Sequence, residues 1–276
     1  MTDNYPTRKE ATGRFIIRKE PTSYSQYFPL YNQYGYGLLK GYFSKREIEE
    51  CQLSCHSAKG LVTNEPGQQV IRSVTGVHLN EPFKSLATHD SLVSLIRRML
   101  GSEIYIHQSR INYKEAISGS GWAWHSDFET WHAQDGMPTM RCLTAMIPLT
   151  ENTNCNGSLM VIPKSHELFY ACKKEEEVSA EDNFAYQKEG VPDRAAILKF
   201  FEHSNDSIDM ITCSPGDLFL FDCNTIHVST QNLSSKPRTN LFFVYNSIEN
   251  KLVDPFTASK PRPEEMGTRE TLEVIH

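Results

Sequence analysis

Between residues 103 and 247 the chain is a succession of short apolar segments separated by turn signals, and this texture constrains the fold more than any other feature. EIYIHQSRINYK (103–114) alternates, with Ile104, Ile106, Gln108, Arg110 and Asn112 expected on one face and Tyr105, His107, Ser109, Ile111 and Tyr113 on the other. RCLTAMIPL, SLMVIP, IDMITC, DLFLFD and TNLFFVYN are further strand candidates. Asp135-Gly136, Asn156-Gly157 and Pro215-Gly216-Asp217 supply turns between them. Many short strands with such turns predict a β-sandwich or jelly roll, a mainly β fold with flanking helices.

Two helices precede the strands. Ser44 and Glu47 form a capping-box pattern, with Ile48, Cys51 and Cys55 on one face and Gly60 as the stop. A second helix is expected from Asp90, as N-cap, to Gly101, with Leu92, Leu95, Ile96, Met99 and Leu100 forming a 3.6-residue stripe that reads as core. The 276 residues suit a single domain, 1–276. Residues 1–25 read as a polar arm, and 173–209 as a charged, helix-permissive insertion of the kind that forms lids.

A net charge of −6 lacks the basic footprint of a nucleic-acid binder. No apolar run is long enough to span a bilayer, and the first residues lack the apolar stretch of a signal peptide. The seven cysteines show no framework spacing, which suggests reduced thiols and a cytoplasmic protein. The expected partner is therefore a small-molecule substrate, with neither nucleic acid nor membrane involved.

Within the strand region, Trp124-His125-Ser126-Asp127 carries the sharpest chemical signal. On a strand, His125 and Asp127 point to the same side and can reach one ion. His227, beyond DLFLFD, is placed to add a third ligand. Two imidazoles and a carboxylate on one octahedral face leave open positions, the arrangement of non-haem iron(II) oxygenases. The His-x-Asp spacing alone is a weak signal. Arg238 strengthens it, because eleven residues beyond His227 a turn and a returning strand can carry a guanidinium inward to fork a carboxylate. His132 reads as a support to the metal ligands or a pocket-wall residue; His78, His107 and His166 read as structural histidines.

The block WAWHSDFETWHAQDGMPTMR closely resembles the signature of the ectoine hydroxylases, in the phytanoyl-CoA dioxygenase superfamily. The similarity runs on through YIHQSRIN, NGSLMVIPKSH, LFDCNTIH, KPRTNLFFVYNS and PFTASKPRP, and Tyr5-Pro6-Thr7-Arg8 also fits. This resemblance implies a double-stranded β-helix (jelly roll), a homodimer, and conversion of ectoine to 5-hydroxyectoine with iron(II), 2-oxoglutarate and O2. It implies His125, Asp127 and His227 as iron ligands. Arg238, Ser229, Trp122 and Asn112 would surround 2-oxoglutarate. Gln108, Trp131, Thr144, Asn240, Phe242 and Arg262 would surround the substrate. Aromatic faces suit an amidinium, and Arg262 suits a carboxylate.

Four positions depart from the pattern the resemblance suggests. Val228 is expected to add bulk beside the triad, Thr75 stands where an aromatic residue is expected, Gln134 replaces a Glu, and Trp122 replaces a Phe. These departures motivate a rival reading, the same chemistry on another small amino acid or cyclic zwitterion. A jelly-roll binding module without turnover is the second rival.

Overall fold

The structure, a computed structural model, describes residues 5, 14–26, 28–173, 187 and 190–275. Thirteen strands are present among these residues: β1 (Arg14–Ile17), β2 (Tyr36–Leu39), β3 (Leu61–Asn64), β4 (Ile71–Thr75), β5 (Ile104–Lys114), β6 (Trp122–His125), β7 (Cys142–Pro148), β8 (Leu159–Val161), β9 (Leu168–Ala171), β10 (Asp209–Met210), β11 (Leu218–Asp222), β12 (His227–Ser229) and β13 (Arg238–Ser247). A seven-stranded sheet runs β2-β11-β7-β13-β5-β4-β3, and a four-stranded sheet runs β10-β8-β12-β6. Every strand pairing is antiparallel. This is the jelly-roll core the strand pattern predicts.

The central strands of the large sheet, β11, β7 and β13, are buried on both sides. One side packs on the helices Lys45–Ser54 and Asp90–Leu100, through Ile48, Leu92, Ile96 and Met99 against Ala145, Leu220, Leu241 and Phe243. Burying each such aliphatic side chain contributes about 1.5–3 kcal/mol. The other side faces the small sheet, where Met146, Phe219, Phe221 and Phe242 meet Leu159 and Val161.

The capping box forms as expected: Ser44 N donates to Glu47 Oε2 at 2.8 Å and Glu47 N donates to Ser44 Oγ at 3.4 Å. The helix ends earlier than Gly60, at Ser54, and continues as a short 3-10 turn over Cys55–Ser57. In the second helix the N-cap is His89 rather than Asp90; its Nδ1 accepts from Ser91 N, which leaves Asp90 in the first turn against the positive end of the helix dipole. Gly101 closes that helix with φ +62°.

The alternation expected along β5 breaks at one residue. Val244 faces Gln108 and Tyr245 faces Ile106, so His107 is an extra residue opposite a single step of β13. This β-bulge switches the faces. Ile104 and Ile106 join the helix-facing core with Ile111, while Gln108, Arg110, Asn112 and Lys114 turn toward the interior. Without the bulge, two isoleucines and the polar row would share a face.

The arm contributes β1, which pairs with β9, and Arg18, whose guanidinium meets buried Asp222 at 2.6 Å. In the expected lid, residues 174–186, 188 and 189 lie outside the described residues, and Arg194–His203 is a helix capped by Asp193.

Candidate metal centre

His125 ends β6, and His227 opens β12 directly opposite it in the ladder. Asp127 reaches them by a different route from the one the strand pattern suggests. The strand stops at His125, Ser126 caps a helical turn, and Asp127 is that turn's first residue. The Ser126 side chain accepts from Glu129 N at 3.4 Å, which fixes the turn and swings the carboxylate back over the strand end.

One ligand atom from each of the three side chains lies within 4.8 Å of the others, and His125 Nε2 is 3.7 Å from Asp127 Oδ1. His125 Nδ1 donates to Ala123 O at 2.7 Å, and His227 Nδ1 donates to Thr225 O at 3.0 Å. Each carbonyl fixes a tautomer whose Nε2 lone pair is free. Burial pushes the His125 imidazolium down to about 3, helped by neighbouring His227, and burial lowers His227 too. Both rings are therefore neutral at pH 7, the form that ligates. Asp127 Oδ2 is buried with no hydrogen-bond partner among the described residues. Neutral imidazoles with free lone pairs beside an orphaned carboxylate oxygen fit a divalent transition metal such as iron(II).

Across the interior, the polar row of β5 meets β13. Arg238 pairs with Lys114, Asn240 with Asn112, and Phe242 with Arg110. Arg238 is 2% exposed, and no carboxylate lies within ion-pair distance of it among the described residues. Its Nη2 donates to Gly157 O at 2.6 Å, and its Nη1 stands 3.0 Å from the Asn240 amide. Burial lowers its pKa to about 10. Lys114, also 2% exposed, donates to Ser120 O at 2.8 Å and to Thr230 O. Burial, then Arg238 and Arg72, pull its amine down to about 6. A buried guanidinium beside a buried amine, each meeting only neutral groups, has the chemistry to receive a carboxylate, with the amine taking up a proton as it does so. Sequence reasoning missed Lys114, although it continues the same-face series 108, 110, 112.

Ser229 is buried on β12, opposite Trp122. The Trp122 ring lies under the Arg72 guanidinium, 3.8 Å from its centroid, and Arg72 is held by Glu65 at 3.0 Å. Asn112 Oδ1 and Thr144 Oγ1 are buried without partners among the described residues. Phe242 faces the interior, 5.2 Å from the Arg110 guanidinium. Asn240 lies between Arg238 and Asn152. Gln108 Nε2 donates to Met266 O at 3.0 Å. Trp131 packs edge-on to His107 at 5.1 Å. Arg262 is forked by Asp135, its Nε donating to Oδ1 at 2.7 Å and its Nη2 to Oδ2. Burial alone would push the Asp135 carboxyl up, but Arg262 and His107 hold it below its ordinary value.

Two expectations change. His132 is not aimed at the triad: its nitrogens meet Met137 O at 2.8 Å and Tyr5 O at 3.2 Å, and its ring stacks on Phe256. Val228 alternates with His227 and Ser229 and lies opposite Met160, so its bulk points away from the interior and not toward the triad. Thr75 is fully buried opposite Arg110.

The sequence pattern of the phytanoyl-CoA dioxygenase (PhyH) family matches residues 31–240. An ectoine dioxygenase of Halomonas elongata is 47% identical over 201 residues, 72% of this chain and 60% of that protein's length. An ectoine dioxygenase of Bordetella bronchiseptica is 36% identical over 296 residues, covering 99% of this chain and 94% of that protein. Among solved structures, EctD from S. alaskensis with 2-oxoglutarate and 5-hydroxyectoine superposes with a TM-score of 0.87 at 35% identity, covering 98% of this chain and 96% of that one. The same protein has also been solved with bound Fe.

Proposed function

Since the chain belongs to the phytanoyl-CoA dioxygenase family, alongside its ectoine dioxygenases, we propose that it hydroxylates ectoine to 5-hydroxyectoine with iron(II), 2-oxoglutarate and O2. The observation that carries this reading is the pairing of a buried two-histidine, one-carboxylate cluster with the buried Arg238 guanidinium and Lys114 amine. A metal site alone would suit a hydrolase. The added carboxylate receptor suits an oxygenase that consumes a dicarboxylic acid.

His125, Asp127 and His227 would hold the iron. Bound iron(II) supplies the oxidising chemistry, in which 2-oxoglutarate and O2 yield succinate, CO2 and a hydroxylated C–H bond. The chain supplies binding and orientation. Ala123 O and Thr225 O keep both imidazoles in the ligating tautomer. Arg238 and Lys114 hold the far carboxylate of 2-oxoglutarate, with Ser229, Asn112 and Trp122 along its length. Phe242 and Trp131 form apolar walls that exclude water and face the delocalised cation of ectoine. Thr144, Asn240 and Gln108 offer polar contacts around that ring, and Arg262 faces its carboxylate. These are the groups that set which C–H bond lies beside the metal.

The same reading makes the protein a cytoplasmic homodimer. No disulfide joins any of the cysteines among the described residues, as in a reducing compartment. No helix among the described residues is long and apolar enough to cross a membrane. The edge strand β3 and its neighbour β4 expose Val62 and Ile71, a face suited to a second copy.

The test is a panel of turnovers with iron(II)-loaded protein, 2-oxoglutarate and either ectoine, proline or pipecolate, followed by mass spectrometry. Succinate and a singly oxygenated ectoine in equal amounts support the reading. Coupled product from proline or pipecolate instead would move the substrate to the rival class. Ligand binding without any succinate would leave the binding-module reading.

A further inference from the structure

The Arg262–Asp135 pair joins two parts of the chain that lie 127 positions apart. Asp135 closes a π-helical turn, Trp131–Asp135, that continues directly from the turn bearing Asp127. Across from it, residues 253–269 form a strap fastened to that turn. Val253 N donates to Gly136 O at 2.9 Å, Thr257 N donates to Ala133 O at 2.9 Å, and Thr268 N donates to His107 O at 2.9 Å.

The Asp135 carboxylate sits at the centre of this junction, 1% exposed. Arg262 forks it through Nε and Nη2, and His107 Nε2 approaches its Oδ2 to 3.2 Å. Gly267 closes the other side so tightly that a Cβ there would lie 2.9 Å from the carboxylate carbon. Met266 O accepts from both Arg262 Nη2 and Gln108 Nε2, each at 3.0 Å. One carboxylate thus sets the rotamer of Arg262, the seat of His107 against Trp131, and the carbonyl that orients Gln108. Nε and Nη2 of Arg262 are committed, and Nη1 makes no hydrogen bond to another described residue.

We infer that Asp135 is the positioning residue of the substrate site: it holds Arg262 by one edge so that the opposite edge receives the carboxylate of a zwitterionic substrate, and it ties that recognition to the turn bearing Asp127. The inference rests on the proposed substrate reading. A neutral amide cannot fork a guanidinium through two acceptors, so Asp135→Asn releases Arg262 with little change in volume.

The experiment compares wild type, Asp135→Asn, Arg262→Lys and the double variant, all loaded with iron(II). In Asp135→Asn the apparent KM for ectoine is expected to rise at least about tenfold. The hydroxyectoine formed per succinate falls, while anaerobic iron(II) and 2-oxoglutarate binding stay within about twofold of wild type. Arg262→Lys behaves likewise, and the double variant is no worse than the poorer single within about twofold, because both break one unit. Hydrogen exchange at Met266–Thr268 supplies a readout that needs no ectoine, and faster exchange in Asp135→Asn is expected. An unchanged ectoine KM in Asp135→Asn, or KM effects of the two single variants that multiply in the double, would overturn the inference. So would a loss of iron and 2-oxoglutarate binding equal to the loss of ectoine affinity, which marks a merely structural role. If wild type fails to hydroxylate ectoine, the substrate reading falls, and unchanged exchange at the strap then overturns the positioning role on its own.

Discussion

Replacing Arg238 with Met exchanges a buried guanidinium for an apolar side chain and is expected to make the ligand-free protein more stable. Burial lowers the guanidinium pKa from its ordinary value to about 10. That fall corresponds to about 3 kcal/mol of destabilisation. The folded value lies below the unfolded one, so the unfolded chain holds this proton more firmly. The cost is therefore complete at any pH below about 10 and fades only as pH rises from there toward the ordinary guanidinium value. Against it stand the contacts of Arg238 with Gly157 O at 2.6 Å and with Asn240 at 3.0 Å. Losing these costs about 1 kcal/mol. The net expectation is a gain of about 2 kcal/mol, within the range seen when buried ions give way to apolar groups. For a chain of this size that is roughly 5 °C in Tm. Urea unfolding of ligand-free wild type and Arg238→Met reads the first effect. Anaerobic thermal melts with iron(II) and added 2-oxoglutarate read the second: the co-substrate should raise the Tm of wild type and leave the variant unmoved. A variant less stable than wild type without ligand, or one equally stabilised by 2-oxoglutarate, would refute the assignment of Arg238 as an uncompensated cation awaiting a carboxylate.

Lys114 makes co-substrate binding sensitive to pH. Its amine is lowered to about 6 and is neutral at pH 7, so seating a carboxylate beside it takes up a proton. Affinity for 2-oxoglutarate is expected to fall as pH rises above about 6, by up to about tenfold per pH unit. Calorimetry in buffers of different ionisation enthalpy measures the uptake, and none near neutral pH would contradict this account. Gly136→Ala is expected to destabilise the protein by about 2–4 kcal/mol. Gly136 has φ +74°, and a Cβ there would lie 2.0 Å from Val253 O. Chemical denaturation checks it, and a loss under about 1 kcal/mol would mean the strap yields easily.

Much of the site can be read from the sequence because its parts are local. His125 and Asp127 are two residues apart, and Arg238 follows His227 by one turn and the start of a strand. The helix stripe of Leu92, Leu95, Ile96, Met99 and Leu100 is equally local, and all five are buried. What escaped depends on partners far along the chain. The bulge at His107 adds one residue without disturbing any composition signal, yet it puts Ile106 on the face opposite to Gln108. The helical turn at Ser126 brings Asp127 to the triad by a route that strand alternation imitates. Lys114 looks like an ordinary strand-end lysine until β13 lays Arg238 opposite it. The partner of Arg262 is not legible until the fold brings Asp135 against it. Val228 shows the reverse error, where sequence adjacency to His227 suggested proximity that the pleat denies.

The most direct test of the account is an anaerobic titration of iron(II), then 2-oxoglutarate, into wild type and Asp127→Ala. Metal analysis after gel filtration, with the visible absorbance of the iron(II)–2-oxoglutarate chelate, reports binding, and circular dichroism checks the fold. The account predicts one iron and one 2-oxoglutarate per wild-type chain, and a folded Asp127→Ala that retains neither. Iron bound equally well by Asp127→Ala would contradict the triad and, with it, the reading of this protein as an iron(II) oxygenase built on His125, Asp127 and His227.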